Sequence, residues 1–231
     1  MSCPPSTRLS RAEAGIRGKK MTDVNQTATG PWLAVLPSES VSWLSSLAVP
    51  WWVAGGWALD LFVGSQSRPH SDLDIGVLRR DVLEVLAALR SWEFFEAKGG
   101  VLTRLREGEA PRADVNSLWG RPAQTTLWTL ELMLDESDGD RWVFRRQTKI
   151  QQSLAMAVRH NSEGIPYLAP EIQLLYKARP IRAQDQADFD HVAPRLAPEA
   201  RAWLRDALAI VDPDHHWLSA LDGAKWAFPS N

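Results

Sequence analysis

The chain has 231 residues, 45% of them apolar, a formal net charge of −2 and a single cysteine. That leaves room for one large domain or two small ones, and it excludes an internal disulfide or a cysteine-based zinc or iron–sulfur centre. No run reaches the ~20 apolar residues of a membrane-spanning helix.

Residues 1–30 are polar, without apolar period, and are expected to be a disordered tail. Within them Arg8, Arg11, Arg17, Lys19 and Lys20 face only Glu13, so the first twenty residues carry +4 and the remainder −6. No apolar h-region marks a secretory signal; the Arg- and Ser-rich composition leaves a transit peptide as an alternative, and Met21 is an alternative start. Cys3, the lone cysteine, requires no oxidising compartment, and a cytoplasmic protein is expected. An acidic body argues against binding a nucleic-acid backbone and suits a small or cationic substrate.

Apolar residues from Trp32 to Leu47 suggest a helix interrupted at Pro37. Trp51-Trp52-Val53-Ala54 reads as a buried strand ending at Gly55-Gly56, and Trp57 to Val63 as a helix capped by Gly64. Leu73 to Val77 reads as a second strand, and Arg80 to Trp92 has helical spacing. Strands are then expected over 94–97, 101–106, 115–119 and 126–134, the last turning at Asp138-Gly139-Asp140 into Trp142-Val143-Phe144. Beyond residue 168 the pattern becomes helical: a helix opening at Pro170 and ending at Pro180, then 185–192 and 198–211. The fold class is thus α/β (α+β), with a mixed sheet and flanking helices over 31–160 and a smaller, mainly helical part over 161–231.

Two local patterns carry chemistry. Asp72 and Asp74 stand at i and i+2 of a strand, so both carboxylates project from one face, their α-carbons ~7 Å apart. Paired hard oxygen ligands suit Mg²⁺, with substrate phosphates completing its shell. Gly55-Gly56 sits where a strand passes into a helix, where absent side chains and the positive helix end favour an anion. Singly, each reads as an ordinary turn or solvated strand end; together they place an anion cradle beside a metal seat.

The run Gly55-Gly56-Trp57-Ala58-Leu59-Asp60, followed by Gly64, Arg68, His70 and Asp72-Leu73-Asp74-Ile75, resembles the signature of polymerase-beta-like nucleotidyltransferases. It is most similar to the small antibiotic-modifying branch, the aminoglycoside and lincosamide adenylyltransferases. The resemblance implies a nucleotidyltransferase fold, Mg²⁺, ATP or another NTP as co-substrate, and a small-molecule acceptor such as a cationic antibiotic. It further implies a third carboxylate on a later strand. Glu131, a charge inside the apolar run 128–134, fits as metal ligand or general base, although many relatives carry Asp there; Asp135 and Asp114 are reserves.

Arg68 either pairs a phosphate or salt-bridges Asp60, and His70 either bonds a phosphate or orients Asp72. Lys177 resembles a family lysine able to reach the triphosphate, with a solvated helix lysine as the plainer reading. Asp185 and Asp188 look like a family feature that helps pack the helices. Of the 12 tryptophans, Trp119, Trp128 and Trp142 could line an acceptor pocket, but core packing explains most of them more simply. His215-His216 is expected at the surface. Two rival functions share this pattern: a toxin-type or regulatory transferase acting on tRNA or protein, and an idle nucleotide-binding protein.

Overall fold

The computed structural model describes residues 26–27 and 30–222. Cys3, Met21 and the basic cluster of the first twenty residues lie outside them. The elements run β1 (Gln26–Thr27), α1 (Pro37–Leu44), β2 (Trp51–Val53), α2 (Gly55–Val63), β3 (Asp74–Leu78), α3 (Val82–Ala88), β4 (Trp92–Lys98), β5 (Val101–Arg104), β6 (Ser117–Pro122) and β7 (Leu130–Asp138). There follow β8 (Arg141–Val143), β9 (Gln151–Ser153), α4 (Leu154–Ala157), β10 (Val158–His160), β11 (Pro166–Leu168), α5 (Pro170–Lys177), α6 (Ala183–Val192), α7 (Pro198–Val211) and α8 (Trp217–Leu221).

The strands form one mixed sheet in the order β1-β5-β4-β6-β7-β3-β2-β11-β10, with β8 and β9 continuing from β7. β3 runs parallel to β7 and β11 parallel to β2, while β2 and β3 are antiparallel. All three residues of β2 are buried, as a strand covered on both faces requires. Pro170 and Pro198 open α5 and α7, where a missing N–H costs nothing. Gly64 ends α2 in the left-handed conformation (φ 82°), its N–H donating to the Asp60 carbonyl.

Several boundaries differ from the sequence reading. Trp32 is extended and bridges Trp128; the helix starts only at Pro37, since proline is tolerated in a first turn and not inside. Gln26–Thr27, within the segment expected to be a tail, pair with β5. The strands β9, β10 and β11 and the short helix α8 were not expected. The sheet therefore extends to Leu168, past residue 160, before the helices begin.

Two clusters form the core. The larger joins the β2–β3–β7 strands to α2, α5 and α7, and the smaller packs Phe95, Leu102 and Trp128 with Trp32 and Trp119. Trp128 and Trp142 are buried here, and Trp119 packs edge-on against Trp32 at 4.9 Å. None of the three lines the cleft described below, so packing accounts for them. No described helix is long and apolar enough to cross a membrane.

Candidate active site

A cleft of about 870 Å³ opens between the β3–β7 floor and α5, with the start of α2 on its rim. Its floor is set by register. Asp74 stands opposite Glu131 in the parallel β3–β7 pair, and the Glu131 N–H donates to the Leu73 carbonyl at 2.9 Å. Neighbours in register point to the same face; Asp72, expected on the strand, lies in the bend just before β3 and reaches the same point from there. One oxygen from each of Asp72, Asp74 and Glu131 lies within 4.8 Å of the others, and all three residues are half-buried.

Such proximity is electrostatically costly. Burial first, then the charges of Glu131 and Asp72, raise the Asp74 carboxyl well above its ordinary range, while Lys177 and Arg182 oppose the shift. Glu131 is also raised, again mainly by burial, against a hydrogen bond from Ser117. That bond, from Ser117 Oγ to Glu131 Oε1 at 2.5 Å, fixes one oxygen and leaves Oε2 to the cleft. A hard divalent cation would relieve this repulsion, and three oxygens converging from two strands fit one.

The reserves lie elsewhere. Asp114 is exposed and paired with Lys98, whose hydrogen bond holds its carboxyl below the usual carboxylate range. Asp135 borders the cleft four residues beyond Glu131, but accepts the Tyr176 hydroxyl at 2.6 Å. Burial pushes its carboxyl up to about 6.

The glycine pair has a concrete steric reason. Gly55 has φ 65°, and a Cβ there would overlap the Asp74 carboxylate, reaching 2.9 Å from its Cγ. Its N–H donates to Gln173 Oε1 at 2.8 Å, tying the start of α2 to α5. A Cβ on Gly56 would sit 2.6 Å from both His70 Nδ1 and Arg68 Nη2, so these side chains crowd the first turn of α2. The space the glycines free is thus occupied first by site side chains, beyond what close approach of a phosphate alone would need.

Arg68 does not pair with Asp60. It faces Asp188 of α6 at 3.4 Å, while Asp60 takes His70 Nε2 at 2.6 Å and the Ser67 hydroxyl at 2.6 Å. His70 is therefore anchored on Asp60, not Asp72. Lys177 is neither solvated nor free: it is buried, with Nζ 3.0 Å from Asp185 and 2.9 Å from Asp188. Although burial pushes Asp185 up, hydrogen bonds from Arg182 and Lys177 bring it down to about 2. These two acids are more than helix packing, since they hold cations at the cleft wall. His215, expected at the surface, is buried and donates to the Ala178 carbonyl at 3.1 Å; burial lowers its basicity. His216 is exposed and meets Gln186.

The sequence reading missed Gln173, Tyr176, Arg145 and Arg182 as cleft residues. Gln173 and Tyr176 lie on α5 in the turn before the lysine already singled out at residue 177, and that adjacency was the available signal. Arg145 lies over the Tyr176 ring at 5.1 Å.

Residues 39–115 match the sequence profile of the family described as aminoglycoside-2''-adenylyltransferase. No curated protein matches the chain. Among solved structures, the chain is similar to the lincosamide antibiotic adenylyltransferase LnuA in its lincomycin-bound form, at 16% identity and TM-score 0.47, covering 67% of this chain and 92% of that one. It is also similar to ANT(2")-Ia in complex with adenylyl-2"-tobramycin, at 14% identity and TM-score 0.38, over 81% and 91% of the two chains. An antigenic nucleotidyltransferase-like protein from Paracoccidioides brasiliensis gives 19% identity and TM-score 0.45, over 80% and 89%. The profile match spans Gly55-Gly56, Asp72 and Asp74 and stops before Glu131. Both chemical motifs, the glycine pair and the two aspartates, thus lie inside the segment similar to the aminoglycoside-2''-adenylyltransferase profile, which covers a third of the chain.

Proposed function

We propose that the protein transfers AMP from ATP to a hydroxyl of a small, antibiotic-type acceptor, with magnesium at Asp72, Asp74 and Glu131. The observation that carries this reading is the β3–β7 register, which sets three carboxylates within 4.8 Å of one another beside the start of α2. Magnesium held there would supply charge neutralisation at the α-phosphoryl group.

The rest falls to side chains and backbone. The first turn of α2 offers its N–H dipoles to the triphosphate, and Arg68 and His70 flank Gly56 as additional donors. Lys177 stays in its ion pairs with Asp185 and Asp188 and acts on Asp74 through its charge. The acceptor's hydroxyl oxygen attacks the α-phosphorus as the bond to the leaving pyrophosphate breaks, and Glu131, with Oε1 held by Ser117, takes the hydroxyl proton. Positioning and preorganised charge supply most of the acceleration.

An assay with ATP labelled at the α-phosphate, run in parallel on aminoglycosides, lincosamides, tRNA and protein, tests this reading. Label transferred to an antibiotic supports it. Label appearing on RNA or protein alone would replace the acceptor, and binding of ATP with no transfer to any of them would leave only a nucleotide-binding protein.

A further inference from the structure

Asp60 lies on α2 one turn beyond the glycine pair, and its two carboxylate oxygens are both committed: Oδ2 to His70 Nε2 and Oδ1 to Ser67 Oγ, each at 2.6 Å. It is buried, and it makes no contact with the three-carboxylate cluster among the described residues. We infer that Asp60 is a positioning residue for the nucleotide's phosphates, acting through His70.

The geometry supplies each link. The carboxylate accepts from Nε2–H, which fixes the rotation of the ring; as an imidazolium, His70 then has its Nδ1–H to give to a phosphate. The Trp57 ring packs on the imidazole at 4.4 Å between centroids, closing one face. The opposite ring edge is thereby turned to Gly56, where Nδ1 lies 2.6 Å from the position a Cβ would occupy. His70 lines the cleft at this point, beside Arg68, whose guanidinium is held from the other side by Asp188. Two acids away from the cluster thus hold the two side chains that bracket the start of α2. Arg68 has a long ion pair at 3.4 Å and keeps donors to spare, whereas His70 has one free nitrogen, and its aim depends on Asp60. Removing Asp60 frees the ring to turn and takes Nδ1 away from the anion.

This inference rests on the nucleotidyl-transfer reading, and its test does not need the acceptor. Equilibrium binding of Mg-ATP, magnesium tripolyphosphate and adenosine is measured on the full chain. The Asp60→Ala protein is expected to bind Mg-ATP and tripolyphosphate about tenfold more weakly, with adenosine unchanged, a split that general loosening of the fold would not give. Asp60→Asn keeps an oxygen for Nε2–H and is expected to fall between Asp60→Ala and the wild type. In a His70→Ala background, Asp60→Ala is expected to cost nothing more, because both changes remove one interaction. If Asp60→Ala does not fold, Asp60→Asn and its combination with His70→Ala carry the same comparison. Phosphate affinity unchanged in the folded single variants, or losses that add fully in the double variant, overturns the assignment. A wild-type protein that binds adenosine but neither phosphate probe overturns the nucleotidyl-transfer reading as well.

Discussion

Asp74 and Glu131 are 57 positions apart in sequence and direct neighbours in the parallel pairing of β3 with β7. Because strand side chains alternate with period two, this register alone decides that both carboxylates share the cleft face. A slip by one residue would turn Glu131 into the core and bring Leu130 or Leu132 to the cleft. The site is thus specified by the same hydrophobic pattern that buries Leu130, Leu132 and Leu134 on the other face.

Gly55→Ala tests the tightness of that arrangement. The new methyl group overlaps the Asp74 carboxylate, and φ 65° costs a non-glycine residue about 1–2 kcal/mol. We expect lower stability in urea unfolding together with loss of magnesium-dependent ATP binding, while Gly64→Ala, at the open end of the same helix, pays only the backbone cost and keeps binding.

Asp135 sets a pH dependence of stability. Its folded value of about 6 lies above the ordinary 3.8, so the folded state binds the proton more tightly. Stability from this group is full below pH 3.8, declines as pH rises to 6, and is flat above. Asp135→Asn keeps an oxygen for the Tyr176 hydroxyl but cannot ionise. Unfolding free energies should favour the variant at pH 7–8, by up to ~3 kcal/mol at 1.36 kcal/mol per unit, and the advantage should shrink towards pH 4. An advantage that does not vary with pH would contradict this account.

Asp185 has the opposite sign. Its folded value of about 2 lies below the ordinary 3.8, so its contribution is full above pH 3.8 and is lost as pH falls through 2. Asp185→Ala should destabilise the protein at neutral pH, with the difference from wild type closing in acid unfolding near pH 2. It also removes one of the two acids holding Lys177, the other being Asp188.

Much of the site was legible because local rules fixed it. Asp72 and Asp74 do converge, although Asp72 lies in the bend before β3 rather than on the strand as expected; Gly64 caps a helix by its left-handed φ, and Glu131 stood out as a charge in an apolar strand. What escaped depends on long-range packing. Asp60 meets His70 only because the 64–71 loop returns against α2, and Lys177 meets Asp185 and Asp188 only because α6 folds back on α5. The three-residue strands β10 and β11 have too few positions to show a period, and they exist because Tyr167 pairs with Val53 and Arg159 with Tyr167. For Trp128 and Trp142 core packing was the simpler expectation, and both are buried.

The central claim is that Asp72, Asp74 and Glu131 form one nucleotidyl-transfer centre. Its most direct test is mass spectrometry of antibiotic acceptors incubated with Mg-ATP and wild-type, Asp74→Asn or Glu131→Gln protein, each shown to be folded. An added AMP is expected with wild type and a yield reduced more than about 100-fold with either variant. A folded Asp74→Asn or Glu131→Gln protein that transfers AMP at the wild-type rate would contradict the claim.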